Sequence, residues 1–400
     1  MRNIMKIDPY NHKEKYLRWK ESVKDGIPEL SKANSDMILQ YIFDMENGLN
    51  VSSKSAKGPR SYIRLNNLRQ RMIFIAKNIE KNLHIDIAAM TEEHLVGFFN
   101  AMRNGTIRRK DGEAYQSVVD YVKPFKAFWH WHMKINKKRG MEISDITEDL
   151  DVSKEKPRWV YLTEEQIRIL CDKAKPEYRT LMMFLYDTGI RSPTELMNIK
   201  VYDLYDGCKK VHIRDEIAKK GSFGRKINLM LCSELIKRHV EENKLQPADS
   251  LFNISPVIVN RYLKRLAKRV LGDGISQAGE SFDKLTMYDF RHCSCCYWLP
   301  RYKSESALKY RFGWRKSDKI HYYSELLGMK DTITEEDMLM DLTKTEIEKR
   351  LLKTERENEI LKEKLESHYG EVRQIKALVK IFVDKFQQLE ELGLLKPIKE

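Results

Sequence analysis

Residues 210–229 read KVHIRDEIAKKGSFGRKINL, and here the hydrophobic period of the chain changes. KVHI (210–213) and RKINL (225–229) are short strand-like runs around a Gly-bearing segment, 218–224, which predicts an antiparallel hairpin. On both sides of it, apolar residues recur at helical spacing. Leu65, Leu68, Met72, Ile75 and Ile79 make one stripe, with Arg60, Arg64, Asn67 and Arg71 opposite. Thr91 stands as an N-cap before Glu92 and Glu93, opening a helix through Leu95, Phe98, Phe99 and Met102. A third helix, 118–135, is aromatic on one side through Tyr121, Phe125, Phe128 and Trp129. Beyond it, Thr163 and Gln166 have capping-box spacing. Helices are expected through 181–186 and 195–199, and again from Ser233 to Leu326. The fold class is therefore mainly α and multidomain, with one small antiparallel β-sheet.

A chain of 400 residues has room for two or three cores. The polar stretch 144–157, SDITEDLDVSKEKP, reads as an interdomain linker. This divides the chain into an N-terminal arm (1–30), a helical domain (31–142), a linker (143–160) and a second domain holding the hairpin (161–330). Past that, Ile347, Leu351, Thr354, Asn358, Leu361, Leu365, His368, Val372, Ile375, Val379, Phe382, Phe386 and Leu389 alternate at steps of four and three. That is the heptad seam of a C-terminal coiled coil over 341–392, with Asn358 at a register-setting core position, and it predicts self-association.

Lys and Arg number 73 against 59 Asp and Glu, a net charge of +14. Residues 341–400 carry 13 of each sign, so the whole excess lies in the first 340 residues. A polyanion such as double-stranded DNA is the expected partner, and its surface belongs to that part. No run approaches the ~18 apolar residues of a membrane span, and the charged N-terminus lacks the apolar segment of a signal peptide. Six cysteines without framework spacing fit a reducing compartment, so a cytoplasmic location is expected. Cys293, Cys295 and Cys296 lack zinc-ligand spacing, and no metal or cofactor is expected. The cluster Trp129, His130, Trp131 and His132 reads as packing within a helical domain.

Four separated pieces carry chemistry jointly. They are TGIRSPTEL (188–196), AKKG (218–221), YDFRH (288–292) and FGWRKSDKIHYY (312–323). In order and setting they resemble the tyrosine recombinases, also called lambda-type integrases. Arg191 matches the family's first Arg in its Thr-Gly-apolar-Arg context, and Arg291 matches the second. Lys219 matches the hairpin Lys, with Lys220 the alternative. Trp314 after Gly313 matches the His/Trp position, and Tyr323 lies nine residues further on, the family spacing to the nucleophile. Tyr322 is the alternative. Tyr288 stands where the family most often has His, a variant similar to archaeal integrases.

The resemblance covers 160–326, and more loosely 31–139. It implies a helical SAM-like core-binding domain, an α-helical catalytic domain and a site-specific recombinase working as four protomers on two duplexes. Two Arg side chains suit a bidentate hold on phosphate, a hairpin Lys can protonate the leaving alkoxide, and a Tyr phenol can become a nucleophile in a positive field. Tyr323 would then form a 3′-phosphotyrosine and free a 5′-hydroxyl, with rejoining driven by the conserved bond energy, without metal or ATP. Tyr288 would hydrogen-bond a phosphate oxygen, while Arg60, Arg64 and Arg71, with Lys220, would touch DNA. Competing readings are a non-catalytic DNA-binding protein on the same fold, and a type IB topoisomerase or telomere resolvase.

Overall fold

The computed structural model describes residues 6–391 except 53, 54, 56, 110, 116, 154–156, 220, 221, 303 and 328–343. Residues Met1–Leu327 form one compact unit and Gly328–Glu400 a second.

The first unit begins with five helices around an aromatic-rich core. They are α1 (His12–Ser22), α2 (Lys32–Asn47), α3 (Tyr62–Leu83), α4 (Glu92–Arg103) and α5 (Val119–Lys137). Side-chain oxygens stop the first-turn N–H groups from going unpaired: Ser31, Ser61 and Thr91 cap α2, α3 and α4. Leu65, Leu68, Met72, Ile75 and Ile79 of α3 are all buried, as their spacing requires. They meet Phe125, Phe128 and Trp129 of α5 in one cluster. Trp131 is also buried and its indole N–H donates to Asp44 Oδ2 at 2.7 Å, so it packs and does not present a flat face. Tyr16 of α1 belongs to the same core, which therefore starts well before residue 31.

A second core follows within the same unit. Helices α6 (Glu164–Lys173) and α7 (Pro176–Thr188) precede a sheet of β1 (Leu204–Tyr205), β2 (Lys210–Ile213) and β3 (Arg225–Asn228). After it come α8 (Ser233–Glu242), α9 (Pro256–Leu271), α10 (Met287–Trp298), α11 (Glu305–Phe312) and α12 (Asp318–Leu326). Thr163 and Gln166 do form the reciprocal capping box at the start of α6. The hairpin is antiparallel, with Val211 opposite Ile227 and Ile213 opposite Arg225. Its edge is joined by β1, a two-residue strand too short to leave a period in the sequence. The expected helix over 195–199 is instead a single 3-10 turn, Leu196–Asn198. It is short because Ile199 turns to extended backbone, ψ 131°, and its carbonyl accepts from Leu251 N at 2.9 Å.

Among its described residues, the second unit contributes one helix, α13 (Lys344–Glu391), 48 residues long. Its described side chains are all exposed, apolar ones included. Of the expected seam, the side chains of Ile347 and Phe386 lie outside the described residues. Among the described residues, no helix is long and apolar enough to cross a membrane.

Candidate active site

The end of α7 fixes the first functional side chain. Gly189 caps that helix at φ +57°, a backbone conformation that costs other residues energy. A Cβ there would stand 2.2 Å from Phe312 Cε1, so the sequence TGIR requires its glycine twice over. Two residues on, Arg191 turns back across the end of α11.

That helix end organises the site. The last carbonyls of an α-helix have no partner within the helix and carry negative partial charge. Here three consecutive ones each accept from a different guanidinium. Arg225 Nε donates to Arg311 O at 2.7 Å, Arg291 Nη2 to Phe312 O at 2.7 Å and Arg191 Nη2 to Gly313 O at 3.0 Å. Arg291 Nη1 also donates to Gly189 O, which ties the two glycine-bearing turns together.

Three cations this close need an anion, and Glu195 supplies it. Its fully buried carboxylate pairs with Arg191 at 2.7 Å and with Arg225 at 2.9 Å. Burial pushes the Glu195 carboxyl up, but Arg225 and Arg191 outweigh that and bring it down to about 2. Burial, reinforced by Arg191, brings Arg291 down to about 10, so it remains cationic at neutral pH. Ser222, from the hairpin loop, accepts from Arg191 Nη1 at 3.2 Å and donates to Gly313 O at 2.6 Å.

Tyr323 enters this positive corner from α12. Its ring lies parallel to Trp314 with centroids 6.1 Å apart, and Trp314 stacks in turn on Phe312 at 4.9 Å. The Arg291 guanidinium sits 5.4 Å from the Phe312 ring centre and 6.0 Å from that of Trp314. The Tyr323 hydroxyl hydrogen-bonds Nδ1 of His292. Only 3 % of the residue is exposed; burial drives its phenol pKa well up, while Arg291 pulls it the other way. The neighbouring tyrosine points elsewhere. Tyr322 accepts from Trp159 Nε1 at 2.7 Å and donates to Pro157 O at 3.2 Å.

The other expected residues divide. Tyr288 is 45 % exposed on α10, one helical turn before Arg291 and edge-on to His292. Lys219 is exposed on the hairpin loop, and its carbonyl accepts from Ser222 N at 2.7 Å. Lys220 lies outside the described residues. Arg60 and Arg64 line one cavity of about 300 Å³ with Asn50, Ser52, His130 and Trp131. Arg71 does not join them: its guanidinium lies 4.1 Å from the Tyr121 ring centre. Arg60 precedes α3, so the expected stripe is no single helix face. Cys293, Cys295 and Cys296 are buried in the core of α10.

The comparisons agree with this arrangement. Residues 160–328 match the phage integrase family model, a span that contains Arg191, Glu195, Ser222, Arg225, Arg291, His292, Trp314 and Tyr323. That part of the chain is similar to the phage integrases. The same fold is seen in the Tn1549 transposon integrase in complex with transposon right end DNA, at 14% identity and a TM-score of 0.54. That match covers 73% of this chain and 93% of the transposon protein. A lambda integrase dimer bound to a COC′ core site is similar at 14% identity and a TM-score of 0.53, over 75% and 79% of the two chains. No curated relative matches.

Sequence reasoning missed Arg225, Ser222 and His292, and left Glu195 without a firm place. A signal existed for one of them. In RKINL, Arg225 shares the inward parity of Ile227, so a strand reading already puts a guanidinium in the core. Ser222 and His292 carry no such periodic mark.

Proposed function

We propose that this recombinase cuts and rejoins DNA at specific sites through Tyr323, and serves integration or excision of a mobile element. One observation carries the reading. Arg191 and Arg291 converge on neighbouring carbonyls of the 312–313 turn, directly beside the Trp314–Tyr323 stack. Carbonyl oxygens held by two guanidinium groups occupy the kind of pocket that suits the non-bridging oxygens of a phosphodiester. Phosphate brings full negative charge and would compete for those donors. Arg191 and Arg291 would then stabilise the charge that builds on phosphorus substituents as Tyr323 attacks. Lys219, on the loop beside Ser222, would deliver a proton to the departing 5′-oxygen. Trp314 would orient the phenol, and Tyr288, exposed at the rim, would reach a phosphate oxygen.

With so little of Tyr323 exposed, DNA reaches it only if α12 or the 312–317 turn moves. The free molecule withholds its nucleophile, which protects a DNA-cutting enzyme from idle reaction. The α1–α5 region, with Arg60 and Arg64, would hold the far side of the duplex. Recombination needs four protomers on two duplexes, and α13 supplies a route to self-association. We place this activity in the cytoplasm, where such DNA is found.

A nicked suicide substrate carrying the target site tests the proposal. A covalent protein–DNA adduct on a denaturing gel, lost in Tyr323→Phe, is expected. No adduct from wild-type protein on a bound site would instead favour a non-catalytic DNA-binding protein. Supercoil relaxation without exchange between sites would favour a topoisomerase.

A further inference from the structure

We infer that His292 is the base that takes the phenolic proton of Tyr323 during strand cleavage. The inference rests on the recombinase reading and adds a catalytic residue to it. The imidazole Nδ1 is within hydrogen-bond reach of the reacting oxygen itself. The alternatives near that oxygen are poor acceptors. Arg291 and Arg191 have no lone pair to offer, and the Trp314 indole only donates. Tyr288 is a phenol, and a neutral phenol is a poor proton acceptor. The thiols of Cys295 and Cys296 are buried.

The imidazole is also held. It stacks on Trp159 with centroids 4.7 Å apart, while Tyr288, from its own helix, meets it edge-on at 5.2 Å. Trp159 is anchored through Tyr322, so the two adjacent tyrosines have different tasks: one braces the base and one reacts. Among titratable groups, Tyr288 from its own helix and Tyr323 from α12 meet the His292 ring.

The step balances. Neutral His292, with its proton on Nε2, accepts the Tyr323 proton at Nδ1 as the phenol oxygen bonds to phosphorus. The bond from phosphorus to the 5′-oxygen breaks, and Lys219 protonates that oxygen. In rejoining, the 5′-hydroxyl of the incoming strand attacks the phosphotyrosine, its proton returns to Lys219, and His292 hands its own back to the departing phenolate. Each turnover leaves both groups as they began.

The test separates base from acid in full-length protein. A nicked substrate whose bridging 5′-oxygen is replaced by sulfur has a leaving group that needs no proton. His292→Gln is expected to form adduct about 10²-fold more slowly on both the oxygen and the sulfur substrate. Lys219→Ala should be slow on oxygen and restored on sulfur. Free imidazole added to His292→Ala should recover part of the rate, and substituted imidazoles should follow their basicity. Adduct formation by both His292 variants within a few fold of wild type overturns the assignment. So does restoration of His292→Gln by sulfur. If either variant binds DNA poorly, the other is read, with binding measured separately by gel shift. Failure of wild-type protein to form any adduct would count against the recombinase reading, and is seen before any variant is made.

A second, independent inference concerns α13: we infer that it pairs with α13 of a second copy, parallel and in register. Leu361, Leu365, Val372, Ile375 and Val379 of the seam are all exposed on the single helix, an apolar stripe that needs a cover. The flanking charges choose its orientation. In a parallel pair, each residue just before an a position faces the partner residue five places later. Of the six such pairs in this sequence, Arg350 with Glu355, Glu357 with Lys362, Glu371 with Lys376 and Lys385 with Glu390 are of opposite sign, while Lys364 faces the neutral Tyr369. Leu378 meets Val383, extending the apolar seam. Parallel pairing also puts Asn358 opposite Asn358, where the two amides can bond each other. An antiparallel overlap of the full helix would set it near Ile375 instead.

Val372→Cys in the full chain tests this. A self-linked dimer on mild oxidation is expected, and Glu371→Lys should weaken the dimer in sedimentation while Glu371→Lys with Lys376→Glu restores it. A monomer at concentrations of 100 µM or so overturns the inference. A dimer in which Val372→Cys does not cross-link to itself overturns the orientation.

Discussion

Arg191 Nη1 lies 2.7 Å from Glu195 Oε1, and the backbone N–H of Arg191 donates to the other carboxylate oxygen at 3.1 Å. The acid thus holds both the side chain and the main chain of Arg191, while its second oxygen also neutralises Arg225. Removing the charge leaves buried cations uncompensated. Glu195→Gln should therefore cost about 3–5 kcal/mol, read as a lower urea midpoint at unchanged slope. It should also loosen Arg191, so adduct formation falls even where the variant remains folded.

The same carboxylate sets an acid limb. Its folded value of about 2 lies below the ~4.3 of an unfolded Glu. A depressed acid contributes stability that is complete above the unfolded value and is lost as pH falls towards the folded one. Stability should thus drop between pH ~4.3 and about 2, and Glu195→Gln should show a flatter curve there. A variant curve parallel to wild type across that window would show that other carboxylates govern acid unfolding.

How much of this was legible depends on whether a residue's role is local. Thr163 and Gln166 cap α6 because capping is a three-residue relationship, visible in any sequence. The α3 stripe was legible for the same reason. Arg225 and Arg291 are brought to adjacent carbonyls from a strand and a helix more than sixty residues apart in sequence, and no spacing rule encodes that. Motif resemblance found Arg291, but Arg225 had only its strand parity. The Arg60–Arg71 stripe shows the same limit from the other side. Helical spacing put Arg71 with Arg64, yet the nearby Tyr121 ring offers its guanidinium a partner.

Gly189 gives a sharp test of the packing between α7 and α11. Gly189→Ala puts a methyl into Phe312 while keeping φ at +57°. Left-handed backbone costs about 1–2 kcal/mol and overpacking a further 1–3 or so. The variant should melt well below wild type. Phe312→Leu combined with it should recover part of the loss, since the double variant relieves the Phe312 clash and leaves the backbone strain and the 2.9 Å approach to Ser294 Oγ.

Arg60 and Arg64 differ from Arg71 in a way that binding and stability separate. The first two line an open cavity with polar neighbours, the third is packed against an aromatic ring. If the cavity meets DNA phosphate, Arg60→Ala and Arg64→Ala should each lower the salt dependence of binding by about one unit of slope. Their melting should barely change. Arg71→Ala should do the reverse, losing the cation–π contact, about 1 kcal/mol, with little change in salt slope. Gel-shift titrations at several salt concentrations, set beside thermal melts, decide it. Equal slopes for all three variants and wild type would remove this cavity from the DNA surface and leave the duplex to be held by the 160–328 region alone.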